Sequence, residues 1–144
     1  MEFRFWYTGI RVRDLDGAIN FFTKILGMKL ESRVKAPRNK GEFANLTSAG
    51  GKHWLELNWY AEGSPVAGPF REGEELDHLG FQVDDFNKAL DRLRDAGYPV
   101  VLGPHHGEGW SVAFVKAFDG IWLDIFKMPI KKETKTKSKI RRRR

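Results

Sequence analysis

The chain repeats itself. Set above one another, "YTGIRVRDLDGAI" (7–19) and "HLGFQVDDFNKAL" (78–90) align at a constant offset of 71 residues. Four of the thirteen positions are identical: Gly9 with Gly80, Val12 with Val83, Asp14 with Asp85, and Ala18 with Ala89. Ile10 with Phe81, Leu15 with Phe86 and Ile19 with Leu90 are like-for-like apolar matches. An internal duplication of this kind requires two copies of one supersecondary unit, packed through a pseudo-symmetric join.

Each copy reads as strand, helix, then three strands. Residues 4–12 alternate apolar and polar, as a half-buried strand does. Asp14 is a suitable N-cap, because its carboxylate can accept from the free amides of a first helical turn. Leu15, Ala18, Ile19, Phe22 and Leu26 follow at helical spacing, with Gly27 as the left-handed stop. In the second copy Asp85 caps, Phe86, Ala89, Leu90 and Leu93 form the stripe, and Gly97 stops the helix. Further strands are expected at 28–36, 41–48 and 52–60, then at 98–103, 110–117 and 121–127. The Gly-, Pro- and Glu-rich segment 61–75 reads as the linker. The expected fold is α+β, two tandem βαβββ modules (3–60 and 76–128) forming a half-open barrel within one domain, 1–130.

The repeat extends to the last strand of each copy, where "WLELNW" (54–59) corresponds to "WLDIFK" (122–127). Glu56 then matches Asp124, each flanked by aliphatics that alternation turns to the opposite face. At the other end Tyr7 matches His78, which starts the strand "LDHLGFQVDD" on the face of Gly80 and Gln82. A pseudo-twofold brings the first and last strands of both copies together. One imidazole, two carboxylates and one phenol can then converge, a donor set suited to a hard or borderline divalent metal.

Bulk properties limit the alternatives. The chain has 144 residues, 41% of them hydrophobic and 13% aromatic, enough for a packed core. The net charge of +6 is carried by the last fourteen residues, "KKETKTKSKIRRRR" (131–144), with nine Lys or Arg and one Glu. The body, with 16 basic and 18 acidic groups, is near neutral. Such a tail reads as a solvated, extended segment, with binding of nucleic acid or another polyanion as its functional alternative. There are no cysteines, so disulfide and thiolate chemistry are excluded. No run of apolar residues is long enough for a membrane span, and the N-terminus lacks the pattern of a secretory signal. A cytoplasmic protein is expected.

The blocks "YTGIRVRDLDGAINFFTKILGMKL", "LELNW", "DHLGFQV" and "FVKAFDGIWLDIF" resemble the vicinal oxygen chelate superfamily, and within it glyoxalase I, over residues 3–128. The resemblance implies paired βαβββ units around a divalent metal (Ni, Co, Zn, Mn or Fe) and a homodimer, often with sites shared between subunits. By position it assigns Glu56, His78, Asp124 and Tyr7 as ligands, although the family usually has Glu in place of Asp124 and His in place of Tyr7. A neutral phenol is a poor ligand. His53, His105 and His106 are the other histidines; His53 has the wrong strand parity, and the pair sits in a Gly-Pro loop expected to cover the pocket.

The implied activity is a glyoxalase-type lyase reaction on a small 2-oxoaldehyde–thiol adduct, through an enediolate. Asp124 or Glu56 would be the base, with Asp124 preferred. Arg11 matches an arginine used on a glutathione carboxylate, Asn58 shares the face of Glu56, and Trp54 and Trp122 are candidate pocket walls. The alternatives are an epimerase acting on an acyl thioester, an antibiotic-inactivating enzyme, or a metal-free binding protein of the bleomycin-resistance type.

Overall fold

Two aspartates start the two helices. In the computed structural model, which describes residues 1–129, Asp14 accepts from the amide of Gly17 at 3.0 Å and Asp85 from that of Lys88 at 3.1 Å. Each cap satisfies an amide that the first turn leaves unpaired. The chain order is β1 (Phe3–Arg11), α1 (Leu15–Asn20), β2 (Lys29–Ala36), β3 (Gly41–Thr47), β4 (Trp54–Tyr60), β5 (Leu76–Val83), α2 (Phe86–Asp95), β6 (Val100–Gly107), β7 (Trp110–Lys116) and β8 (Trp122–Lys127). Gly27 and Gly97, with φ of 71° and 96°, turn the chain out of the helices. The basic tail lies outside the described residues.

Two expectations are corrected. The first helix does not run regularly to Leu26, because Phe21–Ile25 forms a π-helical turn. The wider turn rotates Leu26 away from the core, where it is 56% exposed, and Met28 packs there with Leu15, Ala18, Ile19 and Phe22. The second correction concerns His105 and His106, which belong to β6 rather than to a covering loop. Ladder bonds to β7 carry that strand on to Gly107.

All eight strands form one sheet, in the order β2-β3-β4-β1-β5-β8-β7-β6. Within each module the first strand runs parallel to the last, β1 with β4 and β5 with β8. The modules join through the antiparallel pair β1 and β5. Arg38, in the turn after β2, reaches His105 on β6 with Nη1 3.1 Å from Nδ1. Residues from opposite edges of the sheet therefore meet, so the sheet is curled into a half-barrel. Helices α1 and α2 cover its convex face. Leu15, Ala44, Leu46 and Leu57 form the core under α1, and Val83, Phe86, Ala89, Ala113, Val115 and Ile125 the core under α2. The concave face is left to the residues of the opposite parity.

The join obeys the duplication. Tyr7 pairs with Gly80 and Gly9 with His78, so the pseudo-twofold exchanges one pair for the other. Gly9 also pairs with Glu56, and Gly80 with Asp124. Two rows result, Glu56–Gly9–His78 and Tyr7–Gly80–Asp124, each with glycine in the middle. A Cβ on Gly9 would lie 2.8 Å from the His78 ring, and one on Gly80 would lie 2.0 Å from the Tyr7 ring. Neither glycine has a positive φ, so the requirement is room for a ring rather than backbone freedom. Gly80→Ala is expected to destabilise the protein by about 1–3 kcal/mol through overpacking. The check is a urea melt, in which an unchanged midpoint would mean that Tyr7 does not lie across Gly80.

Candidate active site

The central strands β4, β1, β5 and β8 bring Glu56, Tyr7, His78 and Asp124 to the wall of one cavity of about 330 Å³ on the concave face. Both modules line it. Asn58, Tyr60, Asp77, Phe114, Val66 and Trp122 are also in the wall. His78, Glu56, Asp124 and Tyr7 are all buried, at 5–9% exposure. Their polar atoms must therefore find partners among themselves.

They form a network. The Tyr7 hydroxyl donates to Asp124 Oδ2 and lies 2.8 Å from His78 Nε2. Nε2 is also 3.1 Å from Glu56 Oε1. Nδ1 of the same ring is 2.8 Å from Asp77 Oδ2, which accepts from the Tyr60 hydroxyl at 2.7 Å. One oxygen is left over: Asp124 Oδ1 is buried with no hydrogen-bond partner.

Charge follows from this packing. Burial opposes protonation of His78, but hydrogen bonds from its ring to the Asp77 and Glu56 carboxylates outweigh it and hold the imidazole at about 10. With both ring nitrogens protonated, Nε2–H is shared between Glu56 and the Tyr7 oxygen. Burial, then the Asp124 and Glu56 carboxylates, push the Tyr7 phenol well above its ordinary value, so it stays a neutral donor. Burial also raises Asp124 to about 6, against the hydrogen bond from Tyr7 and the His78 charge. A carboxylate poised there is mostly ionised at neutral pH yet more basic than an ordinary one.

The donor chemistry fits a divalent cation. Two ligands each about 2.1 Å from one ion stand roughly 3.0–3.4 Å apart, which is the separation of His78 Nε2 and Glu56 Oε1. The orphaned Oδ1 of Asp124 leaves a second, incompletely paired carboxylate in the wall of the same cavity. Four carboxylates line the cavity; Glu42 is paired with Arg33, and Glu56, Asp77 and Asp124 face the single charge of His78, an excess of negative charge that a cation would balance. Among the described residues, no three His, Asp or Glu side chains already stand at the spacing of a bound ion. The Tyr7 hydroxyl bridges His78 and Asp124 and draws them into hydrogen bonds instead.

Other expected residues fall elsewhere. Asn58 lines the cavity, with its amide nitrogen 3.4 Å from the carbonyls of Ile10 and Glu56. Trp122 lines it and Trp54 does not. Arg11 is not in the wall: its guanidinium donates to the Gly68 carbonyl at 2.6 Å and lies over Tyr60 and Phe70, pinning the 61–75 segment. His53 bonds Thr8 at 2.9 Å and stacks on Phe5, away from the cavity, as its parity implied. His106 packs on Phe86 and bonds Ser111. Asp77 and Tyr60 were missed. Tyr60 shares the parity of Glu56 and Asn58 and was open to recognition; Asp77 was hidden because alternation assigns it to the other face.

A curled sheet of paired βαβββ modules, with an imidazole, two carboxylates and a phenol on its inner face, defines a class shared with known proteins. Residues 4–125 match the Glyoxalase/Bleomycin resistance protein/Dioxygenase superfamily, and the chain belongs to it. It is 30% identical over 128 residues to a probable lactoylglutathione lyase of Vibrio cholerae, covering 85% of this chain and 88% of that protein. It is 32% identical over 136 residues to a probable lactoylglutathione lyase of Synechocystis, covering 88% and 97%. The crystal structure of methylmalonyl-CoA epimerase from Mycobacterium tuberculosis has the same fold, with a TM-score of 0.75 at 23% identity over 88% of each chain.

The raised Asp124 has a consequence for stability. In the folded chain this carboxyl keeps its proton to about pH 6, against an ordinary value of 3.8. Between those values the folded state binds more protons than the unfolded one, so stability falls as pH rises through the window. Asp124→Asn is expected to stabilise the metal-free protein near pH 7.5 by about 1–3 kcal/mol, and by progressively less as pH falls to about 4. Urea melts across that range check it; a gain independent of pH would refute the buried charge.

Proposed function

We propose that the protein is a glyoxalase-type lyase that isomerises the adduct of a small 2-oxoaldehyde and a thiol to a thioester. The supporting observation is Asp124: buried, raised to about 6, and with Oδ1 unpartnered at the cavity. The relatives named as lactoylglutathione lyases point to the same reaction.

In this reading Asp124 Oδ1 removes the proton from the carbon next to the substrate carbonyl and returns it to the neighbouring carbon. One C–H bond breaks and one forms, and the hydroxyl proton passes to the former carbonyl oxygen, so the thioester product is an isomer of the adduct. Tyr7 holds Oδ2, so the carboxylate cannot turn its free oxygen away. His78 through Nε2 and Glu56 through Oε1 would hold a divalent cation beside Asp124, for which Nε2 must give up its proton. When bound, such a cation supplies positive charge beside the adjacent substrate oxygens, lowering the energy of the enediolate. Tyr7 serves as a donor to the base rather than as a ligand. Phe114, Val66 and Trp122 exclude water from the reacting carbon.

The pseudo-twofold favours one second reading. Glu56 and Asp124 occupy equivalent positions on the two sides of the join, and two bases facing one carbon suit epimerisation of a 2-branched acyl thioester. One carboxylate would remove the proton and the other would return one to the opposite face.

Assays of methylglyoxal with several thiols, against a 2-methyl-branched acyl thioester, separate the two reactions. His78→Ala is expected to lose bound metal and turnover together, by elemental analysis and rate. Asp124→Asn is expected to lose roughly 10²- to 10⁴-fold in rate while Glu56→Gln weakens metal retention. Protein purified without chelator that neither carries nor rebinds metal would instead indicate a binding protein. Deleting 131–144 is expected to leave turnover unchanged and to remove any binding to polyanions. A homodimer, implied by the family, is tested by light scattering; among the described residues no helix is long and apolar enough to cross a membrane.

A further inference from the structure

Asp77 directly precedes His78 in β5, and strict alternation would send the two side chains to opposite faces of the sheet. Both line the cavity. The cause is in the β1–β5 ladder, where Gly9 pairs with His78 and Ile10 with Leu76, leaving Asp77 as the extra residue of a bulge. A bulge breaks the alternation locally and re-aims one side chain. The result is an Asp77 carboxylate beside the back of the His78 ring, with Oδ2 2.8 Å from Nδ1.

The bulge is part of the duplication. In β1, Phe5 pairs with Phe81 and Tyr7 with Gly80, so Trp6 is the extra residue there. Trp6 and Asp77 are related by the same offset of 71 as Tyr7 and His78. The two modules thus share the device and use it differently. The first has an exposed indole at the bulge; the second puts an acid behind an imidazole. Asp77 is in turn held by Tyr60, whose hydroxyl donates to the same Oδ2 at 2.7 Å.

We propose that Asp77, braced by Tyr60, is the positioning residue of the site: it takes the Nδ1–H of His78 and so presents Nε2 to the cation position between Glu56 and Asp124. This rests on the cation-binding reading above and deepens it. A ring free at Nδ1 can turn about its Cβ–Cγ bond and offer either nitrogen. A carboxylate on Nδ1–H fixes the ring and makes Nε2 the stronger donor. Removing the acid also leaves a buried N–H without a partner, which costs stability to the same orientation.

The test titrates the full chain with Zn²⁺ in competition with a chromophoric chelator. It is paired with NMR of ¹⁵N-histidine-labelled, metal-free protein. Asp77→Ala is expected to weaken Zn²⁺ binding 10- to 100-fold and to abolish the exchange-protected Nδ1–H resonance of His78. Asp77→Asn, nearly isosteric, keeps an acceptor for Nδ1–H; it is expected to retain the resonance and lose less affinity. Tyr60→Phe is expected to fall between wild type and Asp77→Ala. Wild-type Zn²⁺ affinity in folded Asp77→Ala overturns the proposal. If the wild-type chain itself takes up no Zn²⁺, the cation-binding reading fails and the ring measurement decides alone. A protected Nδ1–H that survives in Asp77→Ala then overturns the role of Asp77, and its loss supports it.

Discussion

The site depends on two positions with no side chain. Glu56 and His78 flank Gly9 in one row across the sheet, and Tyr7 and Asp124 flank Gly80 in the next. Side chains on neighbouring strands ordinarily stand nearly parallel, about 5 Å apart. Here the residue between them is bare, so the imidazole leans over Gly9 toward Glu56 and the phenol leans over Gly80 toward Asp124. Convergence of four polar groups is thus a matter of backbone area left open, and duplication supplied the opening twice.

The second dependence is between burial and charge. Two carboxylates and an imidazole are taken out of water at the middle of the sheet, which is costly unless each finds partners. Most do: His78 spreads its two N–H groups over Asp77, Glu56 and Tyr7, and Tyr7 spends its proton on Asp124. The exception is Asp124, whose second oxygen has none. Burial without a full set of partners raises its proton affinity, the property on which its proposed role as base rests. Cores under α1 and α2, built from separate apolar clusters on the convex face, carry the stability that this arrangement gives up.

Local rules served well where the backbone is regular. Asp14 and Asp85 cap where their spacing to the apolar stripe indicates; the parity of Glu56 and Asp124 holds because each lies in a straight run of strand, and that of His78 because the bulge falls just before it. The rules failed at irregularities. The π-helical turn at Phe21–Ile25 displaced Leu26 from the helical stripe. The bulge at Asp77 turned an acid to the cavity against alternation. Arg11 has the expected parity, yet its guanidinium is taken by Gly68 of a segment distant in sequence, a contact no periodicity encodes.

The sequence by itself determined the duplication, the βαβββ order of each copy and the residues that share the inner face, because these follow from pattern within one strand or helix. Only the tertiary structure decided the rest. The register across β1 and β5 placed a glycine between Glu56 and His78 and another between Tyr7 and Asp124. It also decided that Tyr7 is spent as a donor to Asp124 and that Asp77 stands behind His78. The physical reason is that hydrogen-bond partners and desolvation depend on distances between strands, and those distances are set by how the whole sheet pairs and curls.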